Sequence, residues 1–527
     1  MAQEPVLING TWRPARNPID TFNAVNPTTK ELLPEAYPVS SWEEAKEALR
    51  AGAEAAAELR DVSPETLAAF LEAFADNIEA RADEICHRGY LETALPIEPR
   101  LRSVELPRTT DQLRQAAVAA RERSWCHATI DTARNIRSMY GPLGGSVIVF
   151  GPNNFPLAFN SVSGGDAAAA LAAGNPVIAK GNTGHPGTTK LLTEAAYEAV
   201  ETTGLPKATV QLLYRTTHEA GARLVSHPLT GATGFTGSRS AGLQLKAAAD
   251  EAGKPIYLEM SAVNPVFVLP GALQERLSSV ADELFASCSL GTGQFCTKPG
   301  LTIVLESDHS EAFLAAVAER FQSPPGILLG AGGVRTIGEA VKTLRDHGAE
   351  LIVGGEEVDG SGYQYANTLL RADGDQFLEY PHALQTEAFG VVSLIVFARD
   401  VDQLAAIARR LEGSLTGSFY THTGGDDDAI YDRIAPIVRQ KVGRLLNDKM
   451  PTGVAVSPAM NHGGPYPATG HPGFTAVGIP ASMLRFGALH CYDNVRHHRL
   501  PAELQDPNPT GRMWRYIDGA WSQRDVT

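Results

Sequence analysis

The sequence predicts an α/β protein in which a doubly wound sheet is followed by a second α/β unit. From residue 144, short β-branched runs alternate with Ala-rich helical stretches: GGSVIVFG, SGGDAAAALAAG, NPVIAKG, TTKLLTEAAYEAVETTG, ATVQLLYR, HEAGARLVS and ATGFTG. After residue 255 a second strand-helix series opens with YLEMSAVNPVFVLPG and runs to about residue 448. A chain of 527 residues, 43% of them apolar, can bury two or three such cores.

The elements follow in order. Residues 40–123 place apolar residues at helical spacing in SWEEAKEALRAGAEAAAEL and LAAFLEAFADNIEARADEI, which predicts amphipathic helices. The strands after residue 144 belong to a sheet whose ligand crevice lies beyond their carboxyl ends, so the informative loops are GPNNFP, KGNTGHP, YRTTHEAG and GFTGSRS. The second series contains helix ADELFASCSL, the loop SLGTGQFCTKPG and strand GLTIVLE. The last eighty residues are rich in Gly, Pro and His, as in SPAMNHGGPYPATGHPGF, and read as irregular loops. INGTW near the start and IDGAW near the end both read as small hairpins around an Asn/Asp-Gly turn.

Composition excludes several functions. A net charge of -15, evenly spread, opposes nucleic acid and anionic membrane as partners. No apolar run reaches the roughly 20 residues of a membrane span, and MAQEPVLINGTW lacks the pattern of a secretory signal, so a cytoplasmic protein is expected. Five cysteines without CxxC or Cys/His ligand spacing indicate neither a disulfide framework nor a metal site.

Three residues could carry chemistry. Cys296 lies in a loop whose Gly291, Thr292 and Gly293 leave an open approach, as a nucleophilic sulfur requires. Glu259 ends the strand of YLEM and offers a general base. Asn154, in the GPNNFPL loop beyond a strand end, can donate its side-chain amide to a developing oxyanion.

Together, in this order and spacing, the NFPL loop, the lysine-bearing loop after the next strand, GFTGS, the LEM segment, the GQFC cysteine and the late TEAFG resemble the NAD(P)-dependent aldehyde dehydrogenase superfamily. The motifs span Asn154 to Phe389, with weaker similarity over nearly the whole chain. The resemblance implies a Rossmann-type cofactor domain over 1–124 and 144–254, a catalytic domain over 255–448, substrate-entrance loops over 449–483, and a small β oligomerisation arm with C-terminal extension over 125–143 and 484–527. It also implies that Cys296 attacks an aldehyde, that Asn154 and the Cys296 N–H hold the oxyanion, and that Glu259 activates the water that releases the acid.

For the dinucleotide, the resemblance places Gly237 and Ser238 at the pyrophosphate, Lys180 at the adenosine ribose, and Glu387 with Phe389 at the nicotinamide ribose and ring. Many NAD-preferring members carry a Glu where this chain has Thr183, and Arg215 can pair with a 2′-phosphate, so NADP is preferred and NAD possible. The Trp-Lys pair and late Glu of many relatives are missing: Gly165 and Asp166 stand in the corresponding helix, leaving the proton exit route open. SGGDAAAALAAGNPV, GHPGT, SPAMNHGGPYPAT and NPTGRMWRYIDGAW resemble the branch that oxidises 2-oxoglutarate semialdehyde, with Ser457, Met460 and Asn461 as candidate substrate contacts. No arginine can be assigned to the substrate carboxylate. Another semialdehyde or a fatty aldehyde is the alternative substrate, and a cysteine hydrolase or an inactive structural relative the remote ones. A homodimer or homotetramer joined through the arm is expected, with FGALHCYDNVR as an edge strand.

Overall fold

In the computed structural model, which describes residues 3–527, the alternation after residue 144 builds five adjacent strands of a seven-stranded sheet. Strands Ser146–Phe150, Val177–Lys180, Val210–Leu213, Thr230–Thr236 and Ile256–Glu259 run parallel and are joined by helices Gly165–Ala172, Pro186–Thr203, His218–Ser226 and Arg239–Glu251. Covered by helices on both faces, these strands read as near-continuous apolar runs. Ser146–Phe150 pairs with Val177–Lys180 on one side and Thr230–Thr236 on the other. Strand order reverses there, so the loops after residues 150 and 236 flank a crevice.

The helical region forms Trp42–Glu58, Pro64–Ala80, Ala82–Thr93 and Leu106–Glu122. Ser41 and Ser63 cap the first two, and Leu67, Phe70, Leu71, Phe74 and Ile78 bury one stripe of the second. Hairpin Val6–Ile8/Thr11–Arg13 joins the same sheet with Leu7 opposite Leu212. Its Asn9-Gly10 turn takes positive φ at both residues, as a two-residue hairpin requires.

One expected boundary moves. Strand Ile256–Glu259, read as the start of the second unit, pairs with Thr233–Thr236 and completes the first sheet. The second sheet begins at Val266–Val268 and has seven strands, parallel except for the edge strand Glu350–Val353. Periodicity locates a strand but does not say which sheet takes it.

Residues 449–483 carry turns but no strand longer than a bridge. They return to the first sheet, where Met260 N–H donates to Ala468 O at 2.8 Å and Gly470 N–H to Leu258 O at 3.1 Å. A five-stranded sheet combines Thr129–Asp131, Ile136–Pro142, Gly487–Asp493, Arg515–Ile517 and Ala520–Ser522. Both echo stretches are therefore hairpins, in different sheets. Among the described residues no helix is long and apolar enough to cross a membrane.

Candidate active site

The cysteine loop follows helix Pro270–Ser289 and precedes strand Leu301–Leu305. Gly291, Thr292 and Gly293 take left-handed φ values of 58°, 56° and 70°. A Cβ on Gly293 would lie 2.2 Å from the Gly390 carbonyl carbon, and one on Gly291 2.6 Å from the Phe295 ring. The glycines thus serve the loop's reversed backbone and close packing rather than an open approach to sulfur, which corrects the sequence-based reason for them. Asn264, buried behind the loop, donates Nδ2 to the carbonyls of Cys296 at 2.8 Å and Lys298 at 3.1 Å. Of the five cysteines, Cys86, Cys126 and Cys288 are buried, Cys491 is exposed, and Cys296 is half-buried.

Asn154 lies beyond the central strand and is buried. Its Nδ2 donates to Gln294 O at 2.8 Å, tying the amide to the cysteine loop with one of its two hydrogens. Arg100 braces this contact from behind: it ion-pairs with Glu105, donates to Asn154 O at 3.0 Å, and stacks over Phe155 and Phe295. Among the described residues the Cys296 N–H has no acceptor, so two donors remain available beside the sulfur.

Glu259 is buried, and its Oε1 lies 2.9 Å from His462 Nε2. The same nitrogen stands 3.4 Å from Cys296 Sγ. Sulfur, imidazole and carboxylate lie within 4.8 Å of one another. Burial and then the Glu259 charge hold the Cys296 thiol well above the usual thiol range, while the Arg108 charge pulls the other way. The resting sulfur therefore carries its proton and needs an acceptor. His462 escaped the sequence reading although its stretch, AMNHGGPYPAT, was singled out. The antiparallel bridge of Glu259 with Thr469 brings that stretch to the strand end, and no local pattern encodes the bridge.

Asp166 does not reach this cluster: it pairs with Arg485 at 2.8 Å in the interior. Of the candidate substrate contacts, Met460 joins the apolar wall of Phe155, Phe159, Phe295 and Phe474. Ser457 Oγ accepts from Ala459 N–H within its own turn, and the exposed Asn461 donates to Gly443 O at 3.2 Å.

Gly237 and Ser238 sit between Thr230–Thr236 and helix Arg239–Glu251, with Ser238 as the helix cap. Lys180 ends its strand, and Arg215 falls two residues past Val210–Leu213, in a short strand beside Val39–Ser40 rather than at that strand's end. Neither forms an ion pair among the described residues, and burial with the Arg215 charge lowers Lys180 to about 8. Thr183 is exposed in the turn before helix Pro186–Thr203. Glu387 lines a cleft of about 230 Å³ with Arg239, Ser261 and Gly413, between the two large sheets. Burial raises its carboxyl above the ordinary range. Phe389 is half-buried two residues on. A helix N-terminus with free N–H groups and two cations lacking acidic partners fit the phosphates of a dinucleotide.

A crevice at a strand-order reversal that meets a half-buried cysteine, an amide donor and a carboxylate is the site of a thiol-dependent enzyme. The model of the aldehyde dehydrogenase family matches residues 12–435, and the chain belongs to that family. It is 40% identical over 460 residues to alpha-ketoglutaric semialdehyde dehydrogenase 2 of Azospirillum brasilense, covering 84% of this chain and 85% of that protein. It is 34% identical over 529 residues to alpha-ketoglutaric semialdehyde dehydrogenase of Acinetobacter baylyi, covering 98% of each. Among solved structures, lactaldehyde dehydrogenase from Escherichia coli superposes with a TM-score of 0.80 at 23% identity, covering 93% of this chain and 98% of that one. PnpE in complex with nicotinamide adenine dinucleotide gives a TM-score of 0.80 at 21% identity, covering 94% of this chain and 99% of that one.

Proposed function

We propose that this aldehyde dehydrogenase converts 2-oxoglutarate semialdehyde to 2-oxoglutarate, with NADP preferred over NAD. The observation that carries the chemistry is the contact of His462 Nε2 with both Cys296 Sγ and Glu259 Oε1. As sulfur adds to the aldehyde carbon, its proton passes to the Glu259 carboxylate, whose Oε1 accepts from the His462 Nε2–H and whose Oε2 has no partner among the described residues; the ring positions the carboxylate and the sulfur. The oxyanion accepts from the second Asn154 amide hydrogen and the Cys296 N–H. A bound nicotinamide dinucleotide supplies the acceptor for the hydride that leaves the same carbon. Glu259, having passed the thiol's proton to solvent, then takes a proton from the water that attacks the thioester, the carbon–sulfur bond breaks, and the acid leaves as Glu259 returns its proton to Cys296. His462 also makes a Cys/His pair, the feature a cysteine hydrolase would need, and thioester hydrolysis is the half-reaction the two chemistries share.

The substrate reading is supported by the relatives at 40% and 34% identity. The NADP reading is supported by the unpaired cations Lys180 and Arg215 and by Thr183 where a carboxylate would repel a 2′-phosphate. Gly237 and Ser238 would hold the pyrophosphate, Glu387 and Phe389 the nicotinamide end, and Met460 the substrate's carbon chain. The edge strand Gly487–Asp493, with Leu489 63% exposed, supports self-association into a dimer or tetramer. Steady-state rates with 2-oxoglutarate semialdehyde, succinate semialdehyde and a long-chain aldehyde, each with NAD and NADP, test the reading. The highest kcat/KM is expected for the first with NADP; a higher value for the long-chain aldehyde would overturn the substrate assignment.

A further inference from the structure

Arg108, near the start of helix Leu106–Glu122, carries a charge that nothing in the fold answers. Among the described residues it forms no ion pair and no hydrogen bond, and its Nε and Nη2 are sealed from solvent without partners. The carboxylates nearby are committed: Glu105 holds Arg100 and accepts the N–H groups of Leu157 and Ala158, and Glu259 holds His462. Burying an unanswered guanidinium is costly, and such a group persists where a ligand supplies the missing anion.

Its position says which ligand. The guanidinium carbon lies 5.0 Å from the Phe159 ring centre and 5.7 Å from that of Phe155. Phe159 packs edge-on against the His462 ring at 5.6 Å, and His462 Nε2 is 3.4 Å from Cys296 Sγ. Two ring contacts therefore separate the cation from the reacting sulfur, and the two groups are near enough that the Arg108 charge pulls on the thiol. Seven residues along the same helix face, Gln115 leaves a second buried polar atom, Oε1, without a partner, and its Nε2 reaches toward Val456 O of the entrance loop. Arg444 is another cation near the sulfur, and its Nε also lacks a partner, but its two terminal nitrogens already donate to the carbonyls of Gly453 and Pro451, whereas Arg108 makes no hydrogen bond among the described residues.

We propose that Arg108 binds the carboxylate of an acidic aldehyde substrate and so selects for semialdehydes of short dicarboxylic acids. The proposal rests on the substrate reading above and supplies the cation that the sequence could not assign. A forked guanidinium matches a carboxylate bidentately, and Phe155 and Phe159 hold its plane in place.

The test compares the wild type with Arg108→Met and Arg108→Lys on 2-oxoglutarate semialdehyde and on pentanal, a neutral aldehyde of the same carbon count. Binding of 2-oxoglutarate to the cofactor-free protein is followed by calorimetry, and a thermal melt reports folding. In Arg108→Met the ratio of kcat/KM, acidic over neutral, should fall about 100-fold, chiefly through KM, with 2-oxoglutarate binding lost. Arg108→Lys should recover part of both. An unchanged ratio and unchanged binding in a folded Arg108→Met protein would make the guanidinium a prop for the aromatic wall and overturn the proposal. If Arg108→Met does not fold, an Arg108→Lys ratio equal to the wild type's overturns it and a lowered ratio supports it. A wild type that shows no preference for the acidic aldehyde would instead overturn the substrate reading itself.

Discussion

Replacing His462 with Asn removes a ring that touches both the sulfur and the Glu259 carboxylate. The wild-type thiol is held protonated by burial and by Glu259, and the ring that holds its carboxylate acceptor stands 3.4 Å from the sulfur. Without the ring, no hydrogen bond among the described residues holds the Glu259 carboxylate toward the sulfur. Glu259 fares no better, because its Oε2 is already buried without a partner and Oε1 would lose its 2.9 Å contact. A positioned acid–base group contributes about 10²- to 10⁴-fold, so a loss of about 10³-fold in the acylation rate is expected, equal to about 4 kcal/mol. Stopped-flow measurement of the first turnover isolates that step. Alkylation of Cys296 by iodoacetamide across pH isolates the thiolate: because the folded thiol lies high, the variant's rate should rise only at a more alkaline pH than the wild type's. Added imidazole should partly restore His462→Ala. A first turnover within threefold of wild type, with an unmoved alkylation profile, would refute the role given to His462 and leave it a wall of the pocket.

Other outcomes follow from the same geometry. Lys180, lowered to about 8, is protonated below that pH and must take up a proton to meet a 2′-phosphate above it. NADP affinity should therefore hold below pH 8 and fall above it by at most about tenfold per pH unit, with NAD affinity changing less, as fluorescence titration would report. Thr183→Glu should move the NADP/NAD preference toward NAD, read as the ratio of kcat/KM values. Arg485→Met would leave Asp166 buried and unpaired, and a loss of about 3–5 kcal/mol in denaturant unfolding is expected, where no loss would mean that Asp166 is solvated. Gly293→Ala forces a Cβ onto the Gly390 backbone at a φ of 70°, so the cysteine loop should shift and first-turnover rates collapse while the far sheets keep their hydrogen-exchange protection.

Much of this molecule can be read from its residues, and the parts that cannot share one physical cause. Most strands and helices between 146 and 251 follow from period and composition, since strands such as Ser146–Phe150 and Val177–Lys180 are largely apolar runs and helices such as Gly165–Ala172 are Ala-rich. The hairpins at Asn9-Gly10 and Asp518-Gly519 follow from turn chemistry. Cys296, Asn154 and Glu259 stand out because reactive residue types fall at loop and strand-end positions within recognisable motifs. His462, Arg108, Asn264 and the Asp166–Arg485 pair depend on contacts between segments dozens to hundreds of residues apart, and their local sequences carry no period, cap or turn to mark them. The unit boundary near residue 255 was misplaced for the same reason, because sheet membership is a long-range choice. The glycines of the cysteine loop were noticed, but their cause, a reversed backbone against Gly390, is visible only in three dimensions.

The central claim is that the aldehyde carbon becomes bonded to the sulfur of Cys296 in a pocket where His462 and Glu259 handle its proton. Rapid acid quench during turnover of 2-oxoglutarate semialdehyde with NADP, followed by peptide mass mapping, tests it most directly. An acyl adduct on the peptide carrying Cys296, absent from Cys296→Ala, is the result expected. An adduct on Cys86, Cys126, Cys288 or Cys491 instead, or turnover by Cys296→Ala at a rate near the wild type's, would contradict it.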